Sequence, residues 1–408
     1  MNSCRPIGIV LALALGTLSA CGGGGDDDDA NDTGAAPATT EANGTDDPVV
    51  DEIQSLLDAA LADPSIAWDG SGVDAPPTGV SVAVRLPDHD DIVLASGESV
   101  DGTPFDPEAP FNIGGVTESF VQTVAYQLVD EGLLDPTATV DQWLPNQPNA
   151  ERVTVQMLLD HTHGWASFPD ASLGLMAADL DRRWTLAEVL ASVETNPPVA
   201  EPGTFTGEGT AVAATALAYI AEEVTGTTLA VLVEDRMAQP AGLDDTAISD
   251  GTEPPGFEDG VFAGSDGRRA DTSGAPHTSY NTYFAASRSG NSTLRDLLDL
   301  LDVWQSGDLF TTNRVPGPGR FLAERSDGMD VYGSGIPFYG FCPCEDDGAN
   351  LAVAAIGRAP QSPFTNNHVF HYPADGVSVV LHFNSGESPD PAPQRQLAEA
   401  IHEAAASS

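Results

Sequence analysis

Lysine is absent from this chain: the fifteen basic residues among its 408 are all arginine, against 62 Asp and Glu, for a net charge of −47. A deficit of positive charge this large argues against nucleic acid, whose phosphates it would repel, and against anionic lipid surfaces. It also leaves no amine to serve as a base anywhere in the sequence. The acids run through the whole chain rather than forming one block. That distribution suits a surface adapted to high salt better than a docking patch for a cationic partner. The hydrophobic fraction, 41%, is ordinary, and the length allows one large or two medium domains.

Cysteine is scarce, with four residues, so a disulfide framework is excluded. Long apolar runs are scarce too. Ile7 to Leu15, preceded by Arg5, is too short to span a bilayer and reads as the core of an export signal. It leads into Leu18-Ser19-Ala20-Cys21, which resembles a bacterial lipobox, with small residues admitting the peptidase and the Cys21 thiol taking the lipid. In an ordinary secretory signal Cys21 would be incidental, but the sequence that follows favours lipidation. Gly22 to Asp47 has almost no apolar side chains and reads as a flexible acidic tether, with Asp26 to Asp29 part of its solvated surface. The expected organisation is a signal over 1–20, a tether over 21–48 and one domain over 49–408, on the outer face of the membrane. That domain keeps 54 acids and 14 Arg, about −40. Cys342-Pro343-Cys344 could close only a strained local ring, and two thiols do not complete a zinc site.

Apolar spacing predicts a helix over Asp51 to Ala62. Alternation at Gly79 to Leu86 and Ile92 to Ser96, around an Asp-rich turn, predicts a hairpin. Helices are expected over Glu118 to Glu131 (stopped by Gly132), Val153 to His161, Leu186 to Val193, Thr210 to Val224 and Leu294 to Trp304. Strand patterns return at Leu351 to Ile356, Val369 to Tyr372 and Val377 to Phe383, before a closing helix, Gln394 to Ala405. Strands at both ends with helices between imply an α+β fold: an antiparallel sheet built from both chain ends, flanked by helices, beside a mainly helical lobe.

The stretch from Phe111 to Trp165 carries the most specific signal. It reads F-N-I-G-G-V-T-E-S-F, then D-Q-W-L-P-N, then V-T-V-Q-M-L-L-D-H-T-H-G-W. With Pro202-Gly203-Thr204, the run Glu222 to Gly226, and the tail from Tyr372-Pro373 to Asn384-Ser385, it resembles the serine β-lactamase/D,D-peptidase family in its class C and esterase-like branch. The likeness covers roughly residues 50 to 406. It implies acyl transfer: a Ser opens a helix in S-x-x-K, the Lys one turn later takes its proton, a Tyr of Y-x-N shares the acid/base work, and K-T-G or H-x-G forms one wall.

This chain keeps the frame and lacks the reactants. Gly115 stands at the Ser position, Glu118 at the Lys position, and Arg358 at the first position of the third motif, with Pro360 where its Gly belongs. The Y-x-N region falls at Gly207 to Gly209 or Gly209 to Ala211, and neither supplies a Tyr or an Asn. Ser119 is offset by about 100° on a helix and has no base of its own. His161 and His163, as residues on different helix faces, are not expected to chelate a metal, and His161 fits a helix-end role. His368 and His371, three apart on a strand, face opposite sides. No catalytic residue, metal or cofactor is therefore expected. Loss of the nucleophile alone costs a serine hydrolase on the order of 10⁶ in turnover. The first expectation is an inactive homologue that binds a peptidoglycan fragment or a partner protein. An active serine hydrolase with a non-standard site and a purely structural lipoprotein are the alternatives. Because Glu118 and Arg358 have opposite signs and fall at facing motif positions, an ion pair between them is expected to fill the old site.

Overall fold

A computed structural model describes residues 47–62, 77–169, 171–252, 278–306, 355–360, 365–385 and 392–407, with short pieces between 257 and 333. The signal, Cys21, the tether up to 46, Cys342 and Cys344 lie outside the described residues, and the expected tether end at 48 overlaps the first helix, which starts at Pro48.

The first helix, α1 (Pro48–Ala62), buries Ile53, Leu57 and Ala60. It is followed by β1 (Gly79–Arg85) and β2 (Ile92–Gly97), which pair antiparallel as the alternation predicts. The helical stretch contains α2 (Thr117–Asp130), α3 (Val155–Leu159), α4 (Leu186–Ala191), α5 (Thr210–Thr225) and α6 (Leu294–Ser306). The chain then returns through β3 (Ile356–Arg358), β4 (Asn366–Tyr372), β5 (Val377–Phe383) and α7 (Ala392–Ala406). The five strands form one antiparallel sheet in the order β3-β4-β5-β1-β2. Its central seam joins the two chain ends, Val80 opposite Phe383 and Arg85 opposite Ser378. Asn384 closes that seam, its side-chain oxygen accepting from the Thr78 and Gly79 amides at 3.1 and 3.0 Å.

The sheet is covered on both faces. One face packs on α1 and α7 through Val80, Val82, Leu381, Phe383, Leu397 and Ile401. The other joins the larger core, in which Val369 and Val380 meet α2, α5 and α6. Two covered faces remove the inside/outside alternation, and every residue of β4 and β5 is buried. α2 stops as expected: Gly132 takes a left-handed φ of 71°, and the amides of Leu133 and Leu134 turn back to the Leu128 carbonyl. No single described helix is long and apolar enough to cross a membrane.

Two expectations need correction. The helix expected over Val153 to His161 spans Val155–Leu159, capped by the Thr154 hydroxyl, which accepts from the Met157 amide. It ends early because His161 adopts a positive φ of 55°, and no L-residue continues a right-handed helix from there. The strand expected over Leu351 to Ile356 lies outside the described residues at 351–354; Ala355 is not strand, and β3 runs Ile356–Arg358, two residues past the expected end. Its register turns on Gly357: a Cβ there would lie 1.8 Å from the Val369 carbonyl oxygen, so only glycine lets β3 approach β4 this closely.

Candidate functional site

The site sits where the N-terminus of α2 meets the edge strand β3 and the start of α5. A single turn of 3₁₀ helix, Gly114–Val116, leads into α2. Beneath it, Asn367 and Thr365 hold the Asn112 carbonyl at 3.0 and 2.9 Å, and the Thr117 hydroxyl bonds the Gly114 carbonyl at 2.6 Å. Asn367 is itself gripped by His382 Nδ1 at 2.7 Å, with the His382 ring stacked on Phe111. This polar floor fixes the turn that carries Gly115. The only atoms Gly115 presents are backbone, so the turn offers no nucleophile.

The structure brings three of the four motif positions into contact. Arg358 Nη1 donates to Glu118 Oε2 at 2.9 Å, with 7% and 9% of the two side chains exposed. The same nitrogen donates to the Gly115 carbonyl oxygen. The remaining carboxylate oxygen, Glu118 Oε1, accepts from the Thr210 hydroxyl at 3.2 Å. The expected ion pair is thus present and buried. A carboxylate in the first turn of α2 is also well placed against the positive end of the helix dipole, where the family's Lys is not.

Gly209, the fourth position, begins α5 in a left-handed conformation (φ 69°) and touches none of these charges. A Cβ at Gly209 would lie 2.5 Å from the Trp165 carbonyl and 2.9 Å from the His163 ring, so no side chain reaches the site from this position. Its neighbour Thr210 makes the contact instead. Sequence reading passed over Thr210, and the signal available was its place at the first position of the helix after Gly209. Pro360, read from the sequence as standing where the third motif's Gly belongs, packs against the same turn. A Cβ on Gly115 would stand 3.1 Å from Pro360 Cβ and 3.7 Å from Arg358 Nη1. Proline and guanidinium together occupy the space beside the vacant nucleophile position.

His161 and His163 lie beyond the end of α3 rather than on two faces of it, and both are buried. The Gln122 amide donates to His161 Nε2 at 3.0 Å, and the Trp165 amide donates to His163 Nδ1 at 3.0 Å. Burial, with the nearby Arg358 charge, pushes His161 down to about 3; burial, with His161 beside it, does the same to His163. Both imidazoles are therefore neutral at pH 7, and each contributes one acceptor to the scaffold. His368 and His371 face opposite sides of β4, as read from the sequence. His371 meets the Ser378 hydroxyl at 3.0 Å, while His368 points to the α7 side. Ser119 is buried, its hydroxyl without a hydrogen-bond partner among the described residues. Among the described residues no group of three His, Cys, Asp or Glu could hold a metal.

The beta-lactamase family profile matches residues 75–404. A Bacillus subtilis (strain 168) protein called penicillin-binding protein PbpX is 25% identical over 137 residues, which is 34% of this chain and 32% of that protein. Among solved structures, D-amino acid amidase from Ochrobactrum anthropi SV3 bound to D-phenylalanine superposes with a TM-score of 0.71 at 21% identity, covering 89% of this chain and 100% of that one. A D-stereospecific amidohydrolase from a Streptomyces species gives 0.68 at 19%, covering 85% and 98%. The octameric penicillin-binding protein homologue of Pyrococcus abyssi gives 0.66 at 20%, covering 86% and 77%. At these identities the likeness to the solved structures speaks for the fold.

Proposed function

Because the chain belongs to the beta-lactamase family and carries Gly115 where that family's nucleophile stands, we propose that it is a non-hydrolysing member of it. In this reading a lipid on Cys21 and the tether after it display the domain outside the cell. There it binds a peptidoglycan fragment or a partner protein without turning it over. The observation that carries the proposal is the Arg358–Glu118 pair at 2.9 Å, bonded also to the Gly115 carbonyl. Acyl transfer needs a hydroxyl and a base converging on one carbon. Here a guanidinium and a carboxylate neutralise each other at those positions, and Pro360 crowds the place of the missing side chain.

The test is covalent trapping. Mass spectrometry of the full chain after incubation with a penicillin and with a fluorophosphonate is expected to show no adduct, and nitrophenyl esters and chromogenic cephalosporins no turnover above a heat-killed control. A stoichiometric adduct on any Ser or Thr would refute the proposal. Thr210, half-exposed with its hydroxyl on a carboxylate, is the one position that favours the alternative of an active hydrolase with a non-standard site. The carboxylate it would need as a base is already engaged by Arg358 at 2.9 Å, which counts against it. Anchoring is tested separately: radiolabelled fatty acid is expected to enter the parent and not a Cys21→Ser variant.

A further inference from the structure

The C-terminal helix α7 lies across one face of the sheet beside α1, and three features of its docking point the same way. The first is its contact surface. Among its described side chains the buried ones are Gln394, Leu397, Ala398, Ile401, Ala404 and Ala405. Leu397 and Ile401 are the large apolar side chains among them, and the rest of that apolar contact is alanine. The second is a polar layer under its first turns. Strand periodicity puts Asn366 and His368 on the same face of β4 as Phe370 and Tyr372, the face that α7 covers. Helix periodicity puts Gln394 on the face of α7 that carries Leu397 and Ala398. The chain direction brings these residues to one end, since β5 ends at Phe383 next to Asn366 and α7 starts nine residues later. Both amide atoms of Asn366, both ring nitrogens of His368 and both amide atoms of Gln394 are buried without a hydrogen-bond partner among the described residues. Such groups weaken docking wherever no hydrogen bond replaces the one lost to bulk water. The third is charge. Arg395 stands in the first turn and Glu403 in the last, each at the wrong end of the helix dipole.

At its far end the helix adds to buried Ile401, Ala404 and Ala405 the His402 ring stacked 3.6 Å from Tyr372, and His402 Nε2 at 2.8 Å from the Asp375 carboxylate. We infer that residues 392–407 form a detachable strap, which lifts from the sheet as a unit while the rest of the domain stays folded. Its release uncovers the apolar sheet face that carries Phe370, Leu381 and Phe383. The inference concerns the opposite face of the sheet from Glu118 and Arg358 and stands or falls independently of the proposed function.

The experiment is native-state hydrogen exchange by mass spectrometry on the full chain. Peptides covering 392–407 are expected to exchange together, at least about 100-fold faster than those covering 377–383, since local openings lie well below global unfolding. Gln394→Leu removes an unpaired amide at similar volume and is expected to slow exchange of 392–407 about 10-fold, with 117–130 unchanged. Glu403→Arg, at an exposed position, repairs the dipole and is expected to slow it about 3-fold or more. Exchange of 392–407 at the rate of 377–383 in the parent overturns the strap. So does faster exchange in Gln394→Leu, which would mean that water or another group already satisfies that amide.

Discussion

Cutting the Glu118–Arg358 contact from each side in turn tests whether this pair holds the domain together. Glu118→Gln keeps the shape and removes the charge, taking from buried Arg358 its counter-ion while its bond to the Gly115 carbonyl stays. Arg358→Met leaves Glu118 buried with the Thr210 hydroxyl alone. Because more than nine-tenths of both side chains is covered, solvent screening does little, and each single change is expected to cost about 3–5 kcal/mol. Most of that cost is the stranded charge rather than the worth of the bond. The double variant strands nothing, so it is expected to be much more stable than the sum of the singles implies, with a coupling energy of about 2 kcal/mol or more. Urea unfolding followed by circular dichroism gives all four corners, provided the slope with denaturant is constant across them. Single variants that lose about 1 kcal/mol or less, as an exposed pair would, or an additive cycle, would refute the reasoning.

Gly115→Ser combined with Glu118→Lys is expected to give no measurable ester or cephalosporin hydrolysis. The new side chain meets Pro360, the new ammonium faces Arg358, and the variant should also melt lower than the parent; a burst of acylation would refute this. His161, His163, His368 and His382 are all pushed by burial to about 3, against an ordinary value near 6.5. The unfolded chain takes up protons there that the folded one refuses. Stability is therefore full above about pH 6.5 and falls as the pH drops toward 3, by about 1.4 kcal/mol per histidine per pH unit inside that window. Urea midpoints at pH 7.5 and 5.5 check the sign, and a domain more stable at pH 5.5 contradicts it. With about −40 on the domain, the melting temperature is expected to rise between 0.1 and 2 M chloride salt as self-repulsion is screened; a flat response would show the acids already accommodated.

The sheet was legible because β1, β2 and β5 are rich in Val, Ile and Leu and bounded by turn residues. β4 was half legible. Val369 to Tyr372 reads as strand, with His368 placed on it, but Asn366 and Asn367 carry no strand signal and yet are buried strand. Alternation fails where a strand is covered on both faces, and nothing local says that the Asn112 carbonyl waits for Asn367. The early end of α3 was hidden for a related reason. Its apolar pattern runs on to His161, and the positive φ that stops it belongs to a histidine held by Gln122 from another helix. Short helices at Ala171–Ala178, Leu229–Val233 and Thr278–Tyr283 were passed over because each is too brief for a period to establish itself.

Glu118 and Arg358 were legible for a different reason. Their positions came from the motif frame and their relation from charge alone. A lysine in the first turn of α2 would sit at the positive end of the helix dipole and beside whatever cation the edge strand carries. A family member that uses such a lysine accepts that strain for catalysis, a trade between stability and activity that is general. In this chain both terms are reversed. Glu118 agrees with the dipole, Arg358 supplies its counter-charge from β3, and the bond to Gly115 O is open to Arg358 because no side chain projects from Gly115 into the space beside it. Restoring a serine would push against Pro360, and restoring the lysine would set like charges together in a buried site. On the proposed function, each of the three residues supports the next, so changing any one alone to the family's residue is opposed by the other two.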